Sequence, residues 1–477
     1  MTGFARRHAL FGAVLLAAVA VRVIVMLGFR GPILIPDSAD YVAVALRLEP
    51  YVIRPDGYSA MLWLLRPLHS LTAVIAVQHA LGVGIGVAGY ALLRRKGLPG
   101  WGATLAMVPV LLSGYALQLE HFLLSDTLFA FLVMLAIVAV MWWPDPPLWI
   151  CALAGLLLAA ATLVRSQGLP LLVVFLACML IRFARWRTIV GVLVMGAAFA
   201  IPVAGYAAWF DSVNGSFQIT NSDGAFLYAT AITFADCAKI KPPADERRLC
   251  LDVPVSKRYY SQIYIWSAGP LRTLPGGEFG NLADRLGTDF ALRAIRAQPV
   301  DYLRLVWSCF WEDFRLDKDT NATATLQSES AAFQRDEMFP AASPGPQAAY
   351  AAHYYDAYDP GYDAYHPPGP DLRVVQPYAG WIRQYQRAIV VSGPLLGVIL
   401  LTGLAGLVVA WRRIGGPPLL PWLTGLVLIV APAATGGVGG RYLVCAVAPL
   451  CVAAAIGVRQ IADLTARLRA ARRQPAL

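Results

Sequence analysis

Polar residues gather in five short clusters that adjoin long apolar stretches of the sequence. The clusters occupy residues 36–41, 54–58, 120–126, 165–168 and 439–442. Ionisable side chains near a bilayer are costly, so such residues are candidates for function. A carboxylate suits general-base work on a hydroxyl nucleophile. An arginine suits a phosphate or diphosphate through charge-assisted, bidentate hydrogen bonds. Together the clusters predict group transfer from a lipid phosphate.

Several of these residues also have a purely structural interpretation. Ser125 and Asp126 can cap the helix that follows them, where the helix dipole favours a carboxylate. Arg165 and Arg441 can extend to the membrane interface, and Asp40 with Tyr41 can form an interfacial anchor. Asp37 fits a structural role least well, because it follows a helix exit and a proline with no Lys or Arg close in the sequence.

Composition identifies the surroundings of these clusters as a membrane. Of the 477 residues, 58% are hydrophobic and only 14% are charged, whereas soluble domains are about 25% charged. A soluble, disordered or disulfide-scaffold protein is thereby excluded. The net charge of +10 is spread over helix ends and termini, so the basic residues do not form a nucleic-acid-binding patch. The sequence predicts an all-α polytopic membrane protein.

Ten segments approach the roughly 20 apolar residues that a membrane span requires. They cover residues 9–29, 71–93, 101–118, 123–143, 148–164, 168–183, 188–209, 388–411, 419–434 and 441–458. In a ten-helix arrangement the basic flanks fall on one side, which predicts that both termini are cytoplasmic. These flanks contain Arg6, Arg7, Arg94, Arg95, Lys96, Arg182, Arg185, Arg187, Arg412, Arg413, Arg459, Arg467, Arg469, Arg472 and Arg473.

The spans divide the chain into four parts. Residues 1–210 form an N-terminal transmembrane module of about seven helices with an external loop at 30–70. Residues 211–387 are too long for a structureless connection and predict a non-cytoplasmic domain, with an irregular, aromatic-rich flap at 325–372. Residues 388–460 hold the C-terminal helices, and 461–477 form a basic cytoplasmic tail. Cys237 and Cys250 lie 13 positions apart in the exported part, and a disulfide between them would contribute about 3 kcal/mol.

The clusters resemble motifs of the C-type (GT-C) superfamily of integral-membrane glycosyltransferases, in particular protein mannosyltransferases and the aminoarabinose transferase of lipid A. Asp37-Ser38-Ala39-Asp40-Tyr41 resembles the acidic motif of the first external loop of that family. Arg54-Pro55-Asp56-Gly57-Tyr58 is similar to its Pro-Pro-Gly-Tyr-like motif, with Asp in place of the second Pro. Glu120-His121 followed by Leu124-Ser125-Asp126 is similar to its His-x-x-Leu-Ser-Glu pattern. Arg165-Ser166-Gln167-Gly168 resembles its Thr-Arg-x-x-Gly element, and Gly440-Arg441-Tyr442 precedes the final helix.

The resemblance implies an inverting transfer of a sugar from a polyprenyl-phosphate donor on the non-cytoplasmic face, with Asp37 as the catalytic base. Mannose and arabinofuranose are the sugars that the family suggests, and the acceptor is a glycan, a lipid or a protein. The substrate-binding candidates are Asp40, Tyr41, Arg54, Tyr58, Glu120, His121, Asp126, Arg165, Gln167 and Arg441. The location implied is the plasma (inner) membrane of a bacterium.

No cofactor is expected. Asp37, Asp40 and Asp126 could hold a hard divalent cation, but no His-rich or regularly spaced ligand set requires one. Two other functions remain open. A transporter or flippase for lipid-linked glycans would place ionisable residues near the bilayer midplane, often within inverted repeats. A membrane acyltransferase or polysaccharide ligase would need a well-placed His, for which His121 is the candidate.

Overall fold

The computed structural model describes residues 3–182, 186–259, 261–266, 269–315, 373–410, 416–435 and 440–473. Within them the chain forms nineteen α-helices and one two-stranded sheet. The predicted flap at 325–372 lies outside the described residues.

The first ten helices are α1 (Gly3–Gly28), α2 (Pro36–Arg47), α3 (Gly57–Leu65), α4 (Leu71–Arg95), α5 (Gly100–Leu112), α6 (Gly114–His121), α7 (Asp126–Trp142), α8 (Leu148–Val164), α9 (Leu169–Arg182) and α10 (Trp186–Asn214). They are followed by α11 (Asp223–Ala231), α12 (Cys237–Ile240), α13 (Ser261–Trp266), α14 (Asn281–Ala297), α15 (Pro299–Glu312), α16 (Tyr378–Ala388), α17 (Gly393–Val409), α18 (Leu419–Ala434) and α19 (Gly440–Arg473). The strands β1 (Phe29–Arg30) and β2 (Arg373–Val374) pair antiparallel, with Phe29 opposite Val374.

The predicted all-α, polytopic membrane architecture is confirmed. Within the described part of the chain, four helices, α1, α4, α10 and α19, are long and apolar enough to cross a bilayer. Two bent pairs, α5 with α6 and α16 with α17, raise the number to six if each pair is one span. Four further apolar helices, α7, α8, α9 and α18, are shorter. The ten predicted segments therefore correspond to helices, but the count of ten spans stays a prediction.

Small residues on α4 let the neighbouring helices approach its backbone. A Cβ atom on Gly86 would lie 2.4 Å from the Leu111 side chain, and one on Gly89 would lie 2.3 Å from the sulfur of Met107. Both contacts come from α5, so this stripe of glycines packs one helix tightly against the next. The large apolar core of the bundle surrounds α4 and includes Met107, Phe129 and Leu158.

A second, separate apolar core lies among α11, α13 and α14. Tyr228 and Phe290 are fully buried at its centre, with ring centroids 5.3 Å apart. The Tyr228 hydroxyl donates a hydrogen bond of 2.7 Å to the Leu249 carbonyl. A disulfide joins Cys237 and Cys250, whose Cα atoms are 6.2 Å apart. This region has its own core and its own covalent cross-link.

Candidate functional site

Asp37 lies in the first turn of α2, between two arginines that come from distant parts of the chain. Its Oδ1 accepts a hydrogen bond of 2.7 Å from Nη2 of Arg54, in the loop before α3. Its Oδ2 accepts one of 2.9 Å from Nη1 of Arg441, in the first turn of α19. The cations that the nearby sequence lacks are therefore supplied by the fold.

These two arginines control the charge of Asp37. Burial by itself would raise the pKa of the Asp37 carboxyl, but Arg54 and Arg441 outweigh that effect and lower the pKa to about 2. Asp37 is therefore ionised throughout the physiological range. A carboxylate held in this way is a strong anchor for the arginines, and it is a weak base as long as both contacts persist.

Asp40 and Tyr41 extend the contacts of Arg54. Nη1 of Arg54 lies 2.5 Å from Oδ2 of Asp40, and its guanidinium carbon lies 5.6 Å from the centre of the Tyr41 ring. Burial raises the pKa of Asp40, and the positive charge of Arg54 partly opposes the rise. One arginine thus binds two carboxylates whose environments push their pKa values apart.

A second acid–arginine pair lies at the start of α7. Nη1 of Arg165 is 2.6 Å from Oδ2 of Asp126. The same nitrogen donates to the Ser125 hydroxyl at 3.3 Å, and that hydroxyl is 2.8 Å from the hydroxyl of Tyr41. Ser125 and Tyr41 therefore connect the Asp126–Arg165 pair to the surroundings of Asp37.

The ring of Tyr442 connects the two groups a second time. The guanidinium carbon of Arg165 lies 5.4 Å from the ring centre and that of Arg441 lies 5.3 Å from it. The two cations therefore share one aromatic ring, and a cation–π contact is worth about 0.5–1 kcal/mol at exposed sites. We call the six ionisable residues of this region the acid–arginine cluster: Asp37, Asp40, Arg54, Asp126, Arg165 and Arg441.

Backbone contacts hold the segments that carry the cluster. The Ile33 amide donates to the His121 carbonyl at 3.1 Å, and the Leu123 amide donates to the Ile33 carbonyl at 3.3 Å. These bonds align the segment before Asp37 with the segment before Asp126. At the other side, the α3 backbone approaches α8 so closely that a Cβ on Gly57 would lie 2.6 Å from the Leu163 carbonyl oxygen.

The loop that carries Arg54 is braced by the chain that follows α10. The Asn221 amide donates to the Val52 carbonyl at 2.8 Å, and the Ser222 hydroxyl donates to the Ile53 carbonyl at 2.9 Å. The position of Arg54 therefore depends on residues that sequence motifs do not single out.

Asp56, two positions after Arg54, is buried in the same loop. Its side chain is 8% exposed, and its Oδ1 accepts a hydrogen bond of 3.3 Å from the Tyr51 amide. Burial raises its pKa to about 7. The residue that replaces a proline of the resembled motif is thus a carboxyl group that titrates near neutrality.

Other predicted site residues lie apart from the acid–arginine cluster. Tyr58 is fully buried and donates a hydrogen bond of 2.7 Å to Oε1 of Gln78. Glu120 and His121 lie inside the bundle, where Glu120 binds Arg22 through both carboxylate oxygens at 2.7 and 2.8 Å. Gln167 lies in the 3₁₀ turn Ser166–Gly168, which begins directly after Arg165. Tyr58 and Glu120 therefore support the site from within the bundle.

Sequence reasoning missed Gln78 and His79, which lie on α4. Gln78 donates to the carbonyls of Glu120 (2.9 Å) and Phe122 (2.7 Å), and His79 contacts both Glu120 and His121. A signal was present, because two adjacent polar residues within a membrane span indicate buried partners. Arg22, inside the span of α1, has Glu120 as its partner.

The described part of the chain contains no group of three or more His, Cys, Asp or Glu residues arranged to hold a metal ion. Within the cluster, Arg54 lies between Asp37 and Asp40, and Arg165 binds Asp126.

No protein-family model and no curated protein matches the sequence. Among solved structures, the chain is similar to the oligosaccharyltransferase AglB from Archaeoglobus fulgidus in complex with an inhibitory peptide and a dolichol-phosphate. The identity is 12% over 100% of this chain and 53% of that one, with a TM-score of 0.41. The apo form of that enzyme gives 12% identity over 96% and 51%, with a TM-score of 0.39.

The chain is also similar to ArnT from Cupriavidus metallidurans bound to undecaprenyl phosphate. The identity is 13% over 95% of this chain and 78% of that one, with a TM-score of 0.35. This chain spans about half the length of the archaeal oligosaccharyltransferases. All these TM-scores are below 0.5.

Proposed function

We propose that this protein is a membrane glycosyltransferase that moves a sugar from a polyprenyl-phosphate donor to an acceptor hydroxyl on the non-cytoplasmic face. The observation that carries the proposal is the acid–arginine cluster. Asp37 lies between Arg54 and Arg441, and it is connected through Tyr41, Ser125 and Tyr442 to the pair Asp126–Arg165. Three arginines and three carboxylates therefore lie together at one end of the helical bundle.

The arginines are assigned to the donor phosphate. Arg165, with Arg54 and Arg441 as the weaker candidates, provides planar guanidinium groups that match phosphate oxygens and keep their charge in a buried site. These groups bind Asp37, Asp40 and Asp126. A phosphate that enters the cluster would compete with these carboxylates for the same guanidinium groups.

That competition would allow Asp37 to act as the general base. When phosphate oxygens take over contacts from Arg54 and Arg441, Asp37 loses the interactions that lower its pKa, and its basicity rises. It then takes the proton of the acceptor hydroxyl as the acceptor oxygen bonds to the anomeric carbon. The bond from that carbon to the phosphate oxygen breaks, and polyprenyl phosphate leaves with the electron pair. Direct attack opposite the phosphate inverts the anomeric carbon, in agreement with the resembled family.

The distribution of basic residues supports a plasma-membrane location with cytoplasmic termini. Arg459 lies 18 positions beyond Arg441 on the single helix α19, which corresponds to about 27 Å at 1.5 Å per residue, close to the thickness of the hydrocarbon core. There its guanidinium donates to the Lys96 carbonyl at the end of α4. This basic end of the bundle is opposite the acid–arginine cluster, so the positive-inside rule favours an extracytoplasmic site.

The transporter or flippase interpretation is the alternative. It calls for ionisable residues within the bilayer, and Arg22, His79 and Glu120 do lie inside the bundle, but they bind one another there. The acid–arginine cluster itself lies at helix ends and in the adjoining loops. The acyltransferase interpretation depends on His121, whose Nε2 lies 3.0 Å from the carbonyl oxygens of both Phe29 and Gly31. These contacts favour a transferase that acts through carboxylates.

The donor is tested directly with purified protein in nanodiscs and a panel of polyprenyl-phosphate sugars that includes mannose and arabinofuranose. We expect one donor to be consumed, with release of polyprenyl phosphate and with the sugar recovered on a glycan, lipid or protein acceptor. Passage of an intact lipid-linked glycan across a vesicle membrane, with no donor cleavage, would support the flippase alternative instead. Acceptor selection is assigned to residues 211–387.

A further inference from the structure

Helix α15 presents a row of large apolar side chains to the outside of the protein. Val300, Leu303, Trp307 and Trp311 are three or four positions apart, so they lie on one face of the helix, and they are 56–64% exposed. Single exposed apolar side chains are common on protein surfaces, but a contiguous row of this size marks a surface that binds a partner. The row therefore needs a partner that covers it.

Other faces of α15 pack against protein. Tyr302 and Leu305 pack against the second core, and Phe310 packs against the core of the bundle. Phe314, two positions beyond the helix, packs against the core of the bundle as well. Helix α15 therefore lies between the two cores, with its apolar row on a face that they leave exposed.

Both ends of α15 contact helix ends of the bundle. The Tyr302 hydroxyl donates a hydrogen bond of 3.1 Å to the carbonyl of Ala434, the last residue of α18. At the other end of α15, a Cβ on Gly393, the first residue of α17, would lie 2.6 Å from the Phe314 backbone. The two contacts are separated by 12 positions of sequence, about 18 Å along a helix.

The start of α17 and the end of α18 lie beside the start of α19, whose first turn carries Arg441. A Cβ on Gly403 of α17 would lie 3.5 Å from the side chain of Ala453, and Gly406 lies against Gly457. Residue numbers therefore rise together along α17 and α19, and the two helices begin side by side. Helix α18 ends only five residues before α19 begins. Both contacts of α15 are thus at the level of the acid–arginine cluster, so α15 runs across the bundle axis.

Exposed tryptophans elsewhere lie near both ends of the bundle, and this residue is enriched at the two membrane–water interfaces. Trp101 and Trp149 are exposed in the first turns of α5 and α8, at the basic end. Trp63 of α3 and Trp209 of α10 are exposed at the end that carries the acid–arginine cluster. The tryptophans of α15 belong to this second level.

We propose that α15 lies in the interface of the bilayer, beside the acid–arginine cluster, with lipid covering its apolar row. Helices that combine a tryptophan-rich face with a charged face bury the apolar face about 5–10 Å into the boundary between headgroups and acyl chains. On the polar side of α15, Arg304 pairs with Asp301 at 3.1 Å and Ser308 is exposed. The apolar surface continues along α17, the helix that begins against Phe314, where Val398 and Leu401 are exposed.

This anchor positions the second core relative to the acid–arginine cluster. Gln298, between α14 and α15, accepts a hydrogen bond of 2.8 Å from the Asp236 amide, and α14 packs against α11 within the second core. Helix α11 follows directly on Asn221 and Ser222, which brace the loop that carries Arg54. Lipid on α15 thereby sets the position of the second core at this loop.

Spin labels measure the lipid contact directly. A label on Leu303→Cys, in a Cys309→Ser background and in phosphatidylcholine–phosphatidylglycerol nanodiscs, should collide often with O₂ and rarely with a water-soluble nickel chelate. Ser308→Cys is the matched control, because five positions turn the helix by about 140°, toward the charged face. Its label should show the reverse. The remaining free cysteines are buried, so they do not compete for the label.

Depth along the row tests the orientation of α15. Labels on Val300→Cys and Trp311→Cys are 11 positions apart, about 16 Å along the helix. We expect the ratio of O₂ to nickel collisions to place both labels at nearly the same depth. A helix that enters the bilayer end-on would instead separate their depths by about 16 Å, which would contradict an interfacial position.

Two results at Leu303→Cys would overturn the proposal. If the nickel chelate reaches this label as readily as the one on Ser308→Cys, the row faces water. If both reagents are excluded, protein covers the row, whether another protein, a second copy of this chain or another segment of it. Neither result bears on the proposed glycosyl transfer, because donor consumption is measured separately.

Discussion

Arg441 donates a hydrogen bond of 2.9 Å to Asp37 across 404 positions of sequence. The bond joins the first turn of α19 to the first turn of α2. Arg54, in the loop between α2 and α3, donates to the other oxygen of the same carboxylate. The ends of the transmembrane chain therefore meet at one carboxylate, and the chemistry proposed for that carboxylate depends on the assembled bundle.

Arginine geometry at the phosphate can be tested with Arg165→Lys. The variant keeps the charge but loses the planar fork, and hydrogen bonds to charged groups are worth about 1.5–3 kcal/mol. We expect donor KM to rise, or kcat/KM to fall, by about 10- to 100-fold. Steady-state donor kinetics would measure this change, and unchanged kinetics in Arg165→Ala would return Arg165 to the role of an interfacial anchor.

Asp56 gives a prediction about pH and stability. Its pKa of about 7 in the folded protein exceeds the value of about 3.9 for an unfolded aspartate. The folded state therefore holds a proton that the unfolded state lacks, and stability falls as pH rises from about 4 to about 7. Asp56→Asn should lose this dependence and gain stability relative to wild type over that interval. A difference in melting temperature that stays constant with pH would contradict the assignment.

The contribution of Asp37 to stability depends on pH in the opposite direction. Its pKa of about 2 in the folded protein lies below that of the unfolded chain, so its contribution to stability is present above about pH 4 and is lost as pH falls through about 2. Asp37→Asn should therefore be less stable than wild type at pH 5–8, and the difference should narrow toward pH 2. Denaturation curves at several pH values would show whether this occurs.

Backbone contact between α3 and α8 predicts a strong effect of Gly57→Ala. The added Cβ would lie 2.6 Å from a carbonyl oxygen, which cannot move as a side-chain end can. We expect a loss of about 1–3 kcal/mol of stability, as for other overpacked sites. Gly205→Ala is the control, because a Cβ at this helical position meets nothing within 4 Å and alanine favours helices. Thermal melting of both variants would show whether Gly57→Ala loses stability while Gly205→Ala does not.

Much of this architecture follows from local sequence. Apolar runs near 20 residues predict helices, because a segment in lipid must satisfy its backbone hydrogen bonds internally. Polar residues such as Asp37 and Arg165 are easily recognised next to these runs. The bend between α5 and α6, which measures 49°, was not predicted, although Ser113 and Gly114 interrupt the run there.

The contacts between side chains within the site could not be predicted from local sequence. No local pattern joins Arg441 to Asp37 or Glu120 to Arg22, because these contacts depend on helix packing between distant segments. For the same reason Tyr58, which belongs to a recognisable motif, lies fully buried against Gln78. Motif order predicts which segments converge, and packing decides which side chains remain in the acid–arginine cluster.

The most direct test is the rate of sugar transfer by Asp37→Asn, in a detergent assay with saturating donor and acceptor. The change keeps the shape of the side chain and removes its basicity, so transfer should fall by the 10²–10⁴-fold that general-base assistance is typically worth. Donor binding should be at least as tight as in wild type, because Arg54 and Arg441 no longer face a charged carboxylate at this position. Glu49→Gln, which changes an exposed carboxylate just after α2, should keep full activity. Activity of Asp37→Asn within a few-fold of wild type would contradict the account and move the base to Asp126 or Glu120.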